Sequence, residues 1–345
     1  ATLFDLGQVE VLRGPQGTSY GANALAGLIN VSSREPENQL ERRVEASAGD
    51  YATRSLGAVL GGGLDAAGRV AGRLAVQRFR SDGFRHNAFL QRDDTNGYDE
   101  TTARGRLRWD ARTDLKVLLT GMWVDLDNGY DAFSLDNSRV TLSDKPGRDA
   151  QRSQAGALRV DYDGDPRFTL RSATAVADSR IRYSFDGDWG HDPIYDFTSA
   201  FRRQHTTLSE DLRLVSRQDA ASAAGWGWVL GIYALHVLED NDQLDLYNGE
   251  VYRAITSHYA ATSTALYGQF ERRFSVPLTL TGGLRLERRR AEYNDTDGTR
   301  FAPRDTMSGG NLTLEYASNA ATRWYASLAR GYKAGRFSFN VKGGR

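Results

Sequence analysis

Five histidines are the side chains best suited to proton or metal chemistry, and they are scattered: His86, His191, His205, His236 and His258. None stands four residues from another, as two metal ligands on one helix would. His236 lies in the most apolar run of the chain, where packing is the simpler reading. Serines are frequent, but no Gly-x-Ser-x-Gly elbow presents one as a nucleophile. Acidic residues gather at Asp93, Asp94, Asp99 and Glu100, at Asp186, Asp188 and Asp192, and at Asp295 and Asp297. The Asp295-Thr296-Asp297-Gly298 run has the opening of a calcium loop without its distal glutamate, so these clusters read as solvated charge. No catalytic constellation emerges. The chain is read as a non-enzyme with no cofactor and no protein-bound metal of its own.

Two other groupings carry more. Tyr130 and Phe133 fall in one long connection, and Phe185, Trp189, His191, Tyr195 and Phe197 in another. Aromatic and polar groups converging there would grip a bulky ligand by stacking and hydrogen bonding, with Tyr130, Phe133, Trp189, His191 and Tyr195 as candidates. The alternative is that they form an interfacial girdle or simply fold the loop. The second grouping is Val9 to Pro36, VEVLRGPQGTSYGANALAGLINVSSREP. A β-run ends at Arg13, Gly14 and Pro15 make a turn, and Gly17, Gly21 and Gly27 suit tight turns or close backbone approach. A second β-run then carries Asn30 and stops at Pro36.

The elements that must position these groups are strands. Segments near 40–49, 52–62, 68–80, 99–110, 114–127, 151–163, 167–183, 206–217, 226–240, 258–274, 278–292, 306–318 and 322–334 have strand character. Leu278, Leu280, Leu284 and Leu286 share one face with Gly282, while Thr279, Thr281, Arg285 and Glu287 share the other. Leu107 and Trp109 likewise oppose Arg104, Arg106, Arg108 and Asp110. Short connections (63–67, 111–113, 164–166, 218–225, 275–277, 319–321) alternate with long ones (81–98, 128–150, 184–205, 241–257, 293–305). Only the first of that second set, near Gly49 to Ala52, is tight. All long loops thus leave one end of an antiparallel meander, the signature of a membrane barrel rather than a sandwich.

Composition is consistent with this. Of 44 basic residues 40 are arginine, balanced by 44 acidic residues, so no net field points to nucleic acid. Arginine facing lipid at the midplane costs about 2–4 kcal/mol, so the strand arginines are assigned to a wet lumen. The longest nearly apolar run, Trp228 to Leu238, falls short of the roughly 20 residues of a membrane helix. A mean hydropathy of −0.54 does not oppose a barrel, whose strands alternate faces. Cysteine is absent, which removes disulfides and thiolate sites.

The Val9–Pro36 stretch, with Arg13, Gly14, Pro15, Gly17, Tyr20 and Gly21 in that order, closely resembles the second half of the plug of TonB-dependent outer-membrane receptors. LSEDLRLVS, LYGQFERRF, LTLTGGLRLE and WYASLARGYKAGRFSFN resemble their barrel strands. The last departs from the usual pattern at Arg336 and by the insertion of Ser338 and Phe339. The resemblance implies an all-β fold: a partial up-and-down transmembrane barrel over 37–345, of an expected total of roughly 22 strands. The C-terminal half of an α/β plug would occupy 1–36. It implies that an export signal, a TonB-contacting segment and the first plug half would precede Ala1. An unclosed barrel has two unpaired edges, so this length alone is expected neither to insert nor to transport.

The resemblance also implies location in the bacterial outer membrane, among its lipids, and uptake of a ferric siderophore or other iron complex. TonB and its inner-membrane energising complex would drive that uptake, and the iron would travel within the ligand. Cobalamin, haem and oligosaccharide are alternatives inside the family; a passive porin or an embedded enzyme would be a different class. In this family a plug arginine at the Arg13 position pairs with acids on the barrel wall, which makes Asp211 and Glu271 its expected partners.

Overall fold

The computed structural model describes residues 3–22, 24–217, 225–274, 277–319 and 321–335. Near the N-terminus β1 (Leu6–Arg13) and β2 (Gly27–Ser33) pair antiparallel around a single helical turn, α1 (Gly17–Tyr20). Strands then follow in succession: β3 (Glu41–Ala48), β4 (Arg54–Gly63), β5 (Val70–Ser81), β6 (His86–Asn87), β7 (Tyr98–Arg112) and β8 (Leu115–Tyr130). Next come β9 (Val140–Thr141), β10 (Gly147–Tyr162), β11 (Phe168–Asp186), β12 (Phe197–Ser216) and β13 (Trp226–Tyr247). The described chain ends with β14 (Glu250–Arg273), β15 (Leu278–Asp295), β16 (Arg300–Phe301), β17 (Arg304–Ala317) and β18 (Arg323–Arg330).

One 14-stranded sheet runs β3-β4-β5-β7-β8-β10-β11-β12-β13-β14-β15-β17-β18, with β16 beside β15. Every neighbour along it is antiparallel, as a meander with local connections requires. The thirteen strands of this path occupy the thirteen segments expected from alternation. Among the described residues no helix is long and apolar enough to cross a membrane.

The pleat sorts the side chains as the sequence pattern demands. Leu284 and Leu286 are 57% and 50% exposed, whereas Arg285 between them is 3% exposed. Leu60, Leu74, Leu119, Leu208, Leu230, Ile232 and Leu266 share the outward, exposed phase and make an apolar belt around the sheet. The opposite face carries Arg43, Arg73, Arg104, Arg106, Arg285 and Glu287. Against that face lies the N-terminal segment. It touches β3, β5 and β7 through Asp5, and β15 and β17 through Gly21 and Thr18. One short segment reaches strands near both ends of the sheet, so the sheet curls around it.

Connections at one end are short (64–69, 113–114, 163–167), and those at the other include 82–97, 131–146 and 187–196. The expected 218–225 turn lies almost wholly outside the described residues. The expected long connection 241–257 is not formed. β13 and β14 instead continue to a two-residue turn at Asn248 and Gly249, with φ of 52° and 77°. Positive φ at both positions is the backbone an Asn-Gly hairpin turn supplies, and its twist matches that of the flanking strands. Polar outward residues such as Asp240 and Asp242 hid this extension, because strand above the apolar belt loses its hydrophobic alternation.

Candidate functional site

The contact between the N-terminal segment and the sheet begins at Phe4 and Asp5. Asp5 has φ of 57°, a left-handed conformation that Asp tolerates, and this turns both side chains into the wall. The Phe4 ring packs with Val59 and Ala75 and lies over Gly57, where a Cβ would come within 2.6 Å of it. Arg43 stacks on the same ring at 5.4 Å. The Asp5 carboxylate accepts hydrogen bonds from Arg73 Nε at 2.8 Å, Arg73 Nη2 at 2.6 Å and Arg43 Nη2 at 2.9 Å. Glu41 holds the far side of Arg73 at 2.7 Å. Burial pushes the Asp5 carboxyl up, but the hydrogen bonds and charge of Arg73, with Arg104 and Arg43, bring it net below the usual carboxylate range.

A ladder of arginines on β7 continues this contact. Arg104 donates to the carbonyls of Phe4 and Asp5, Arg106 to those of Ser33 and Arg34, and Arg108 to that of Pro36. The alternation placed these three on the inner face. Their acceptors turn out to be backbone carbonyls of the N-terminal segment.

At the far wall Gly21 has φ of +79°, and a Cβ there would stand 3.0 Å from Arg285 Nη2. Only glycine meets both conditions. Arg285 donates to Glu287 at 3.0 Å, and Tyr332 donates to the same carboxylate at 2.8 Å. Thr18 donates to Asn311 at 2.9 Å. Gly27 has φ of +155°, and a Cβ there would press on the Leu12 carbonyl at 2.5 Å, so the β1–β2 ribbon also depends on glycine. Gly14 takes φ of 78° at its turn, Pro15 packs on Gly331, and Gly17 begins α1 beside Tyr332. Tyr20 borders a hollow of about 310 Å³ with Tyr233, Tyr259 and Arg289. Asn30 donates to Glu10 directly across the ribbon at 2.7 Å.

The expected pairing of Arg13 is not what the structure shows. Asp211 accepts from Arg213 and from the Tyr267 hydroxyl at 2.6 Å, and Glu271 accepts from Arg273 at 2.8 Å. Both arginines stand two residues along the same strand, on the same face, and satisfy the acids locally. Among the described residues Arg13 makes no ion pair. It borders a cavity of about 600 Å³ with Gln16, Gln269 and Asn311. Asp5 takes the ionic role instead, and it lies outside the glycine-rich motif that drew attention to Arg13.

At the long-loop end the aromatic candidates separate. Tyr130 meets Tyr183 at 4.9 Å and Phe133 at 6.0 Å, and Phe133 stacks on Trp189 at 5.0 Å. Tyr183 continues to Phe185 and Phe201, giving an inward-facing panel. Phe201 lies in the same connection, 184–205, as the aromatics singled out in the sequence but was not among them. His191 stacks on Phe89, and Tyr195 meets Tyr247 edge-on, so neither joins the panel.

These loops are tied together by buried polar groups. One Asp131 oxygen accepts from Asn87 at 2.9 Å, Thr95 at 2.8 Å and Thr141 at 2.6 Å. β6 and β9 pair in parallel beside it. Asp144 N–H donates to the Gly190 carbonyl at 3.0 Å and Lys145 to Asp196, which brings in the third loop. Among the described residues no group of acidic and histidine side chains is arranged to hold a metal ion.

This arrangement has close relatives. The family model "TonB dependent receptor-like, beta-barrel" matches residues 78–343. A pesticin receptor of Yersinia enterocolitica is 23% identical over 96% of this chain and 50% of its own length. A vitamin B12 transporter of Vibrio vulnificus is 27% identical over 37% of the chain and 20% of its own. Among solved structures, the ferric yersiniabactin uptake receptor of Yersinia pestis superposes with a TM-score of 0.83 at 20% identity, over 95% of this chain and 52% of that one. The ferric-catecholate import receptor of E. coli K12 gives 0.79 at 17%, over 96% and 60%. The chain spans about half the length of the curated relatives it matches over nearly its whole extent. With an apolar belt outside, a charged wall inside and a matching barrel model over most of its residues, this chain belongs to the TonB-dependent receptor family.

Proposed function

We propose that this chain is part of an outer-membrane receptor that takes up a ferric siderophore or similar iron complex, with energy supplied through TonB and its inner-membrane complex. Residues 1–36 are then the C-terminal half of the plug, and 37–345 part of the barrel. The observation that carries the reading is the N-terminal segment bonded to the inner wall by Asp5, the β7 arginines and Gly21. A passive porin has no use for an occluding segment so anchored. The ligand class is supported by similar structures described as a ferric yersiniabactin uptake receptor and a ferric-catecholate import receptor. The inward panel of Tyr130, Tyr183, Phe133, Trp189 and Phe201 supplies stacking surface for a bulky chelate at the loop end. Iron enveloped by such a chelate needs no protein ligands.

Transport in this reading requires the segment to leave the wall. Its contacts are hydrogen bonds and ion pairs spread over several strands, which can be broken in sequence as water enters. The test is uptake of radioactive iron, presented as several ferric chelates, by iron-limited cells with and without the intact gene. Chelate-specific uptake lost on deletion of the gene, and on dissipation of the proton-motive force, is expected. Uptake of cobalamin or a sugar with no iron chelate accepted would replace the ligand assignment. Uptake indifferent to energy would remove the TonB coupling.

A further inference from the structure

The last residue of β11, Asp186, stands past the apolar belt at the base of the 187–196 loop. In the sequence it read as solvated charge, yet it is 6% exposed and its Oδ2 is enclosed, with no hydrogen bond to any described residue. An ionised oxygen so placed is costly, whereas a carboxylic acid O–H needs only an acceptor nearby. Asp188 is that acceptor, and the two acids stand close enough to share a proton. Each Asp188 oxygen already accepts a backbone N–H, from Gly190 at 2.8 Å and from Phe197 at 3.0 Å. These donors favour negative charge on Asp188 and leave the proton to Asp186. Burial pushes the Asp186 carboxyl up to about 6, opposed by the Ser143 hydroxyl and helped by the Asp188 charge.

What this pair holds is the arm that carries Trp189. The chain bends through residues 187–190, and Trp189 takes φ of 60°, a left-handed conformation unfavourable for a bulky side chain. Its ring nonetheless stacks on Phe133 at 5.0 Å, as a member of the aromatic panel. The bend is held by Asp188 N–H donating to Asp186 Oδ1 at 3.2 Å and by Asp144 N–H donating to the Gly190 carbonyl at 3.0 Å. Asn87 fixes the Ser143 carbonyl at 2.8 Å. Lys145 feels Asp144 and Asp186, but its hydrogen bond goes to Asp196. Thr198, opposite Asp186 on β12, brings no charge, and His191 is the titratable group farther along the arm, stacked on Phe89. With both acids ionised, their charges repel across the base of the bend, and the strained backbone at Trp189 favours release.

We propose that a proton held between Asp186 and Asp188 locks the Trp189 arm onto the aromatic panel, so that capture of a ferric chelate is favoured in mildly acidic surroundings and weakened above neutral pH. The inference rests on the reading of that panel as a chelate-binding surface. The docked arm holds the proton more tightly than the open one. Its advantage is therefore complete below the ordinary carboxylate value and is lost as pH rises through about 6. From about pH 7.5 to about pH 5 the ratio of docked to open arm should rise about tenfold.

The test places nitroxide labels at the exposed positions Leu135 and Ile194 of the intact receptor in nanodiscs and measures the distance between them by double electron–electron resonance. A short, narrow distribution is expected at about pH 5, giving way to longer distances at about pH 7.5 by that tenfold ratio. Asp186→Asn, whose amide donates to Asp188 as the acid would, should hold the short distance at both pH values. His191→Gln should keep the wild-type dependence. Heat-modifiable migration confirms that each variant is a folded barrel. A wild-type distribution unchanged by pH, a dependence that survives Asp186→Asn, or one that vanishes in His191→Gln overturns the proposal. The link to capture is read from uptake of radioactive iron, presented as the same ferric chelates, by cells carrying Asp186→Asn or the wild type at equal pH. Greater uptake by the variant at about pH 7.5 than at about pH 5, relative to wild type, is expected, and equal uptake at both overturns that link. Cells that accept no ferric chelate overturn the chelate reading, while the distance measurement still decides the lock.

Discussion

Removing the Asp5 carboxylate leaves Arg73 with Glu41 alone, Arg43 with Glu45 and Glu41, and Arg104 with the Phe4 and Asp5 carbonyls. Breaking a buried ion pair from one side costs roughly 3–5 kcal/mol, and the surviving Glu41 contact places Asp5→Ala at the low end. The expected outcome is a higher single-channel conductance of the intact receptor in planar bilayers, because the inner segment detaches more readily. Arg13→Ala should leave conductance near that of the wild type. Because the Asp5 carboxyl is depressed, its contribution is present above about pH 4 and is lost as pH falls through the lowered value. Conductance events should therefore become more frequent on strong acidification, and Asp5→Ala should lack that dependence. A second carboxylate behaves differently. Glu210 shares the outward phase of Leu208 and Leu212 within the apolar belt, satisfied by the hydroxyls of Ser172 and Thr174, the former at 2.6 Å. A polar group against hydrocarbon is tolerated only while hydrogen-bonded. Glu210→Leu should be neutral or raise the thermal midpoint, whereas Ser172→Ala/Thr174→Val with Glu210 intact should lower stability by about 1–3 kcal/mol.

At the scale of elements, the loops 82–97 and 131–146 depend on Asp131. With the acceptor gone, Asn87, Thr95 and Thr141 each lose a buried partner, so Asp131→Ala should raise amide exchange throughout both loops and leave β7 and β8 protected. The strands themselves were legible in the sequence. Alternation in Leu278–Glu287 and Ala103–Asp110 gave both their existence and the facing of each side chain, because one face meets lipid and the other does not. That signal fades above the belt, where both faces are wet. The upper ends of β13 and β14 and the early start of β12 were therefore missed. The glycine-rich motif was legible because positive φ and close approach admit no other residue at Gly21 and Gly27. The ionic partners were not. Which arginine an acid finds depends on register between distant strands, and the same-strand pairs at Asp211 and Glu271 pre-empted the longer-range guess.

For the whole molecule, the inner segment and the sheet are mutually dependent. Phe4 fills the space that Gly57 leaves open, and each arginine of the β7 ladder donates to a backbone carbonyl of that segment. Gly57→Leu in the intact receptor should exclude the Phe4 ring and raise conductance as Asp5→Ala does, without loss of the heat-modifiable barrel. The node at Asp131 has another reach. Because the three loops bond to one another as well as to the strands that carry them, they are expected to exchange as a block. Grafting loop 82–97 from a relative by itself would strand the donors and acceptors of its neighbours, whereas exchanging 82–97, 131–146 and 187–196 together would carry over a complete folded cap. Chimaeras of this receptor, whether made by recombination in a population or at the bench, should therefore survive at the block boundaries and fail within them.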